Sequence, residues 1–338
     1  MDRVIAAGIL GMVIGILIGP KFIDFLRERE LGQQIREDMP AGHVVKQGTP
    51  TMGGLLIVIG AAVPFLLLSK YTVPALAVFG VTVGCALIGF LDDFIKLRHR
   101  RSLGLNGRWK LLLLIGISFF LAWAAVHEDL DTKIYVPPLG TIDLWWLWYP
   151  LLFLIVAGSA NGANLTDGID GLAAGIGIIA LIAFTAINIL TFIRLGQSAF
   201  ANPDEARAYL DLAVLGGALA GAAIGFLWFN AFPADVFMGD TGSMAIGGAL
   251  AAFAIMTKTI FLLLLIGGIF AIEALSVILQ VFSFRYWGRR IFLMAPIHYH
   301  FEMKAWSETK IMVRFWIVTG LLCAAAFALY YRYFRGFR

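Results

Sequence analysis

Residues 161–171 read Asn161-Gly162-Ala163-Asn164-Leu165-Thr166-Asp167-Gly168-Ile169-Asp170-Gly171, and the chain then runs LAAGIGIIALIAFTAINILTFIR over 172–194. The second stretch carries no charge before its terminal Arg194. It is long enough, as a helix, to cross a hydrocarbon core that needs roughly 20 apolar residues. The first stretch sets Asn161, Asn164, Asp167 and Asp170 three apart, which predicts one polar helical face beside a membrane span. Amides and carboxylates beside lipid are costly unless they find partners or do chemistry.

The same contrast runs through the whole chain. Of 338 residues, 60% are apolar or aromatic and only 14% are charged. Soluble domains carry roughly 25% charged residues. With a mean hydropathy of +0.85, this composition excludes a soluble enzyme, a disordered chain and a nucleic-acid-binding domain. The sequence predicts an all-α integral membrane protein of about ten transmembrane helices, near 4–26, 51–69, 73–91, 109–127, 144–162, 172–194, 210–230, 243–257, 259–283 and 312–333. The first run lacks a small-residue cleavage site and leads into Pro20 and Lys21, which predicts an uncleaved span. Cys85 and Cys323 both lie inside apolar runs, so no disulfide framework is implied.

Ten spans leave nine connections, and the odd-numbered ones share a face. They hold sixteen of the 26 basic residues, six of them in 96–110 and six in 285–314. The positive-inside rule therefore puts the odd connections in the cytoplasm and both termini outside, although Arg332, Arg335 and Arg338 run against it. The chain reads as one polytopic domain over 1–338, with cytoplasmic connections at about 27–50, 92–108, 163–171, 231–242 and 284–311. On the outer face, 128–143 has alternating apolar residues about a Pro-Pro-Leu-Gly turn and predicts a small β-hairpin. Gly11, Gly15 and Gly19 form a small-residue stripe on the first span, suited to packing within the chain or to a dimer contact.

The polar residues gather in the odd connections. The third span ends in Asp92-Asp93-Phe94-Ile95-Lys96, with Lys96 one helical turn after Asp92. The seventh connection adds Asn230, Asp235 and Asp240, and like the fifth it contains no basic residue. Three oxygen-rich clusters on one face suit a hard divalent cation such as Mg²⁺, which uses one or two carboxylates and leaves room for phosphate oxygens. Helix capping is the alternative for Asp170 and Asp240. The ninth connection carries Pro296-Ile297-His298-Tyr299-His300-Phe301-Glu302. One His-x-His pair without cysteine is too small a set for closed zinc, so phosphate or carboxylate recognition is the functional reading and surface decoration the other. Lys46, Thr49 and Thr51 precede Gly53-Gly54, where backbone can approach a ligand. Phe237 offers a ring for stacking on a base. Together these features describe phosphoryl transfer from a nucleotide-linked cytosolic substrate to a lipid.

At these positions the sequence resembles the polyprenyl-phosphate N-acetylhexosamine-1-phosphate transferase superfamily and, within it, the phospho-N-acetylmuramoyl-pentapeptide transferases. The resemblance runs from about Lys46 to Glu302 and rests on Gly48 to Gly54, Asp92 to Lys96, Asn164 to Gly171, Gly239 to Ser243 and Ala295 to Glu302. It implies ten transmembrane helices, a homodimer in the bacterial cytoplasmic (inner) membrane, Mg²⁺, and a cytoplasm-facing site. The implied reaction transfers phospho-N-acetylmuramoyl-pentapeptide from UDP-N-acetylmuramoyl-pentapeptide to undecaprenyl phosphate, with release of UMP. By the same resemblance Asp240 binds Mg²⁺, with Asp167 beside it. Asp92 and Asp93 handle the polyprenyl phosphate, Asp92 in preference as the base. Lys46, Gly168, Ile169, Asp170 and Phe237 form a uridine pocket. Asn164, Asp167, Asn230, Thr51 and Lys96 line the diphosphate and metal region, and His298, a catalytic candidate, and His300 meet the pyrophosphate or sugar. The family's run of three histidines is interrupted here by Tyr299, which donates a hydrogen bond but cannot become cationic near neutral pH.

Two rival readings differ in chemistry. A transferase of UDP-N-acetylglucosamine would share the aspartate motifs but not the Pro296 to Glu302 segment. A secondary transporter would place its polar residues near the midplane between inverted repeats. Glu273, inside the ninth span, is either functional or a helix-pairing group and is not placed in the site.

Overall fold

The computed structural model describes residues 1–29, 48–99, 104–137, 139–197 and 202–334. Long apolar runs can satisfy their backbone in lipid only as helices or closed barrels, and here they are helices. They are α1 (Asp2–Glu28), α2 (Gly54–Leu68), α3 (Val73–Arg98), α4 (Gly107–His127), α5 (Trp148–Thr166), α6 (Leu172–Gly196), α7 (Pro203–Asn230), α8 (Gly239–Met256), α9 (Ile260–Ile266), α10 (Gly268–Trp287), α11 (Ile297–Glu302) and α12 (Glu308–Tyr333). Among the described residues nine helices are long and apolar enough to cross a membrane, and α2 is a shorter apolar one. The chain is a multi-pass membrane protein. Counting α2, the ten expected crossings are present, but the ninth begins later than its apolar run. Residues 260–266 form the separate helix α9, and the chain breaks at Gly267 before α10.

The expected hairpin forms from β1 (Lys133–Val136) and β2 (Gly140–Asp143), antiparallel with Ile134 opposite Ile142. Lys258 reaches Asp131 at 3.1 Å and ties this end of the bundle to the turn after α8. At the same end Asp211 of α7, wholly enclosed, accepts from the Ser69 hydroxyl (2.8 Å) and from the N–H groups of Lys70 (2.8 Å) and Thr72 (3.2 Å). One carboxylate thereby pins the turn between α2 and α3, meeting backbone donors that a helix start leaves unpaired.

The bundle is organised around α8. From Thr241 to Met256 every residue is buried, against α3 on one side and α5 on another. Such a helix has to be apolar or small all round, and apart from Thr241 and Ser243 this stretch is built of Gly, Ala, Ile, Leu, Met and Phe. A Cβ at Gly248 would stand 2.5 Å from Cys85 Sγ, and one at Gly89 of α3 would run into the carbonyl oxygen of Asp240. This close approach carries the start of α8 directly onto the end of α3. The glycine stripe of α1 is used inside the chain: a Cβ at Gly11 would meet Ala218 and Ala222 of α7, and one at Gly15 would meet Gly225.

Candidate active site

The odd connections converge at one end of the bundle. The C-terminal part of α3 brings Asp92 and Asp93, each 3% exposed, to the first turn of α8. Asp93 accepts from the N–H groups of Asp240 (3.1 Å) and Thr241 (3.0 Å) and from the Thr241 hydroxyl (2.8 Å). A helix N-terminus presents unpaired donors and partial positive charge, so a carboxylate is stabilised there. Asp93 is thus the anchor of α8, with both oxygens engaged. Asp92 accepts the Leu105 N–H at 2.8 Å, and its other oxygen stands 2.6 Å from Lys96 Nζ.

Two ammonium groups bridge the carboxylates. Lys96 donates to Asp240 Oδ1 at 3.0 Å, and Lys110 donates to Asp240 Oδ2 at 2.8 Å while standing 3.4 Å from Asp92. Ligand oxygens of Asp92, Asp93 and Asp240 lie within 4.8 Å of one another, a buried acidic cluster that could hold a metal ion. Oxygen-only donors of this kind match hard cations. With the carboxylates ionised, three negative and two positive groups leave one negative charge in excess.

The turn after α5 forms the next layer. The predicted polar stripe does not stay on one helix, because α5 ends at Thr166 and Gly171 takes a left-handed φ of 73°. Asn161 donates back to the Ala157 carbonyl at 2.7 Å, whereas Asn164 donates to the Ser243 hydroxyl of α8 at 3.1 Å. Asp167, half-buried, has its pKa pushed up to about 8, first by desolvation and then by the charges of Asp240 and Asp93. Asp170 accepts the Ala234 N–H at 3.1 Å. Asn230 accepts from Gly171 N–H (3.1 Å) and donates to the Val236 carbonyl (2.9 Å). These two residues lock the 167–171 turn to the 231–238 loop. Ile169 is buried under the turn.

The 231–238 loop is held in turn by the segment before α2. Phe237 N–H donates to the Pro50 carbonyl at 2.8 Å, and Gly53 N–H donates to the Phe237 carbonyl at 2.9 Å. Phe237 is half-buried, and buried Thr51 puts its hydroxyl beside Gly239, where a Cβ would stand 2.9 Å from it. Lys46 lies outside the described residues.

α11 places the histidines differently from one another. His298 is 0% exposed, with Nδ1 3.1 Å from Oε2 of equally enclosed Glu273. A Cβ at Gly168 would stand 2.5 Å from His298 Nε2 and 2.6 Å from the Tyr299 hydroxyl, so the 167–171 turn rests on both rings. The Tyr299 phenol, held well above its ordinary pKa by burial, donates to the Gly168 carbonyl at 3.5 Å. His300 instead accepts the Leu293 N–H at 3.1 Å and packs edge-on against Phe292. It supports the 288–296 loop, which Gln280 also grips through Ile291 and Phe292.

Two groups escape a reading from sequence. Lys110 counts there only as a topological charge at the head of a span, yet it lies in the carboxylate cluster. Glu273 is the partner of His298 rather than an isolated oddity. The absence of basic residues within 231–242 also misleads, because Lys96 and Lys110 both reach Asp240 from the two ends of the third connection.

The multi-pass helical bundle gathers buried carboxylates and lysines at one end, and comparison with known proteins places it in the class of integral membrane transferases. The glycosyl transferase family 4 profile matches residues 75–258, which include Asp92, Lys110, Asp167 and Asp240, and a phospho-N-acetylmuramoyl-pentapeptide-transferase signature matches residues 46–58. The chain is 45% identical over 323 residues, 94% of each protein, to a phospho-N-acetylmuramoyl-pentapeptide-transferase of Halalkalibacterium halodurans. Proteins of the same name from Thermobifida fusca and Bacillus velezensis are 43% and 45% identical, over 98% and 94% of each chain. The chain belongs to the phospho-N-acetylmuramoyl-pentapeptide transferase family.

Proposed function

We propose that this protein transfers phospho-N-acetylmuramoyl-pentapeptide from UDP-N-acetylmuramoyl-pentapeptide to undecaprenyl phosphate, releasing UMP and forming the first lipid-linked peptidoglycan precursor. The observation that carries this reading is the buried cluster of Asp92, Asp93 and Asp240 bridged by Lys96 and Lys110. The chain would act as a single polytopic domain and a homodimer in the bacterial cytoplasmic membrane, with this end facing the cytoplasm, as the distribution of basic residues favours.

A phosphate monoester is already a competent nucleophile, so the protein mainly has to align it and neutralise developing charge. An oxygen of undecaprenyl phosphate attacks the sugar-bearing phosphorus in line. The bond from that phosphorus to the bridging oxygen breaks, and the bridging oxygen leaves with UMP. Asp92 is the group that orients the lipid phosphate and takes its proton where one is present, while Lys96 and Lys110 face the oxygens that gain charge. The donor set fits Mg²⁺, which Asp240 would hold with Asp92 and Asp167 nearby; bound there, the ion supplies charge neutralisation to phosphate oxygens. Lys46, Gly168, Ile169, Asp170 and Phe237 would receive the uridine, and Thr51, Asn164 and Asn230 would support the diphosphate. His300 would meet the sugar side.

Asp240→Asn tests the assignment. It should abolish UMP release while the purified protein stays folded by circular dichroism, and wild-type turnover would refute the role given to Asp240.

A further inference from the structure

Glu273 lies in the interior of α10, a helix long and apolar enough to span a membrane, yet its carboxylate is 0% exposed. An ionisable group at such a position is expensive unless paired. Its Oε2 stands 3.1 Å from His298 Nδ1, within ion-pair distance, and among the described residues neither carboxylate oxygen and neither ring nitrogen has a hydrogen-bond partner. The ring's other nitrogen lies directly under Gly168, where even a methyl group would collide. A carboxylate on one imidazole nitrogen fixes both the tautomer and the plane of the ring, as it does for histidines that serve metal sites.

We propose that Glu273 and His298 are positioning residues which set the height of the 167–171 turn, and so the nucleotide subsite, relative to the carboxylate cluster. Glu273 holds the proton of His298 on Nδ1 and leaves Nε2 facing the turn. The turn carries Asp167 and Asp170, and Asp170 in turn holds the 231–238 loop through Ala234. The inference rests on the functional reading above for the identity of the nucleotide. The geometric claim itself is independent of it.

The test uses the full chain in lipid nanodiscs, with Glu273→Gln, His298→Asn and the double variant. Glu273→Gln should raise KM for UDP-N-acetylmuramoyl-pentapeptide about tenfold or more, the scale on which a histidine's orienting partner acts, and leave KM for undecaprenyl phosphate within about twofold. His298→Asn should do the same, and the double variant should be no worse than the single ones, since both remove one device. An unchanged nucleotide KM, equal losses for both substrates, or losses that multiply would overturn the proposal. Nitrogen-15 spectra of labelled histidine in the wild-type protein provide a second reading. A protonated Nδ1 on His298 is expected, and a bare Nδ1 would overturn the pair even if the variants fail to fold. Wild-type protein that releases no UMP would count against the functional reading alone, because the spectroscopic result stands without substrate.

Discussion

Lys110 donates to Asp240 across 2.8 Å, although 130 residues separate them in the chain. The lysine opens α4 and the aspartate opens α8, so the contact joins two helices that scarcely meet elsewhere. Together with Lys96 it converts three crowded carboxylates into a site with nearly balanced charge. Removing one cation should therefore harm the site more than a surface lysine would. Lys110→Gln is expected to lower turnover about 100-fold, the scale found for a donor aimed at developing charge, and to lower the thermal midpoint. Steady-state UMP release with a parallel unfolding curve checks both, and near wild-type turnover would remove Lys110 from the machinery.

Asp92 and Asp93 are neighbours with different duties. Asp93 spends both oxygens on the N-terminus of α8. Asp93→Asn turns an acceptor into a donor there and should destabilise the protein by about 1–2 kcal/mol, as loss of a helix cap does. Asp92→Asn should abolish turnover with a smaller change in stability. Denaturation in detergent, run on both variants, distinguishes an anchor from a reacting group.

The engagement of Asp93 also bears on mechanism. A carboxylate already holding three donors is poorly placed to attack phosphorus, and Asp92 is held by Lys96 and the Leu105 N–H. Incubation with the nucleotide substrate alone should therefore yield no UMP burst. Intact-mass analysis should find no phosphosugar on either aspartate, and a trapped adduct would replace direct attack with a two-step route.

Gly89 is where α3 meets the start of α8. Gly89→Ala puts a methyl group into the Asp240 carbonyl, and overpacking of this kind costs about 1–3 kcal/mol. Because the displaced residue carries the cluster, activity should fall together with the melting temperature. A stable variant with full activity would show that the start of α8 has room to shift.

Much of this architecture is legible in the sequence, for identifiable reasons. Span count and hairpin follow from local signals, namely unbroken apolar length and alternation about a Pro-Gly turn. Asp92, Asp167 and Asp240 stand out because carboxylates beside lipid have few bland explanations. The rest depends on long-range placement. Lys110 looks like any charge at the head of a span, and nothing local says that it meets a residue in α8. The stripe from Asn161 to Asp170 has helical spacing, but α5 ends at Thr166 and the members of the stripe go to different partners. His298 and Glu273 each look odd alone, and only packing of α11 against α10 reveals them as a pair.

The most direct test of the central claim is UMP release by the purified full chain, measured with UDP-N-acetylmuramoyl-pentapeptide in defined lipid. Release is expected only when undecaprenyl phosphate and Mg²⁺ are both present, in step with formation of the lipid-linked sugar, and it should stop on chelation. Release without the lipid, release that persists after chelation, or equal turnover of UDP-N-acetylglucosamine would contradict it.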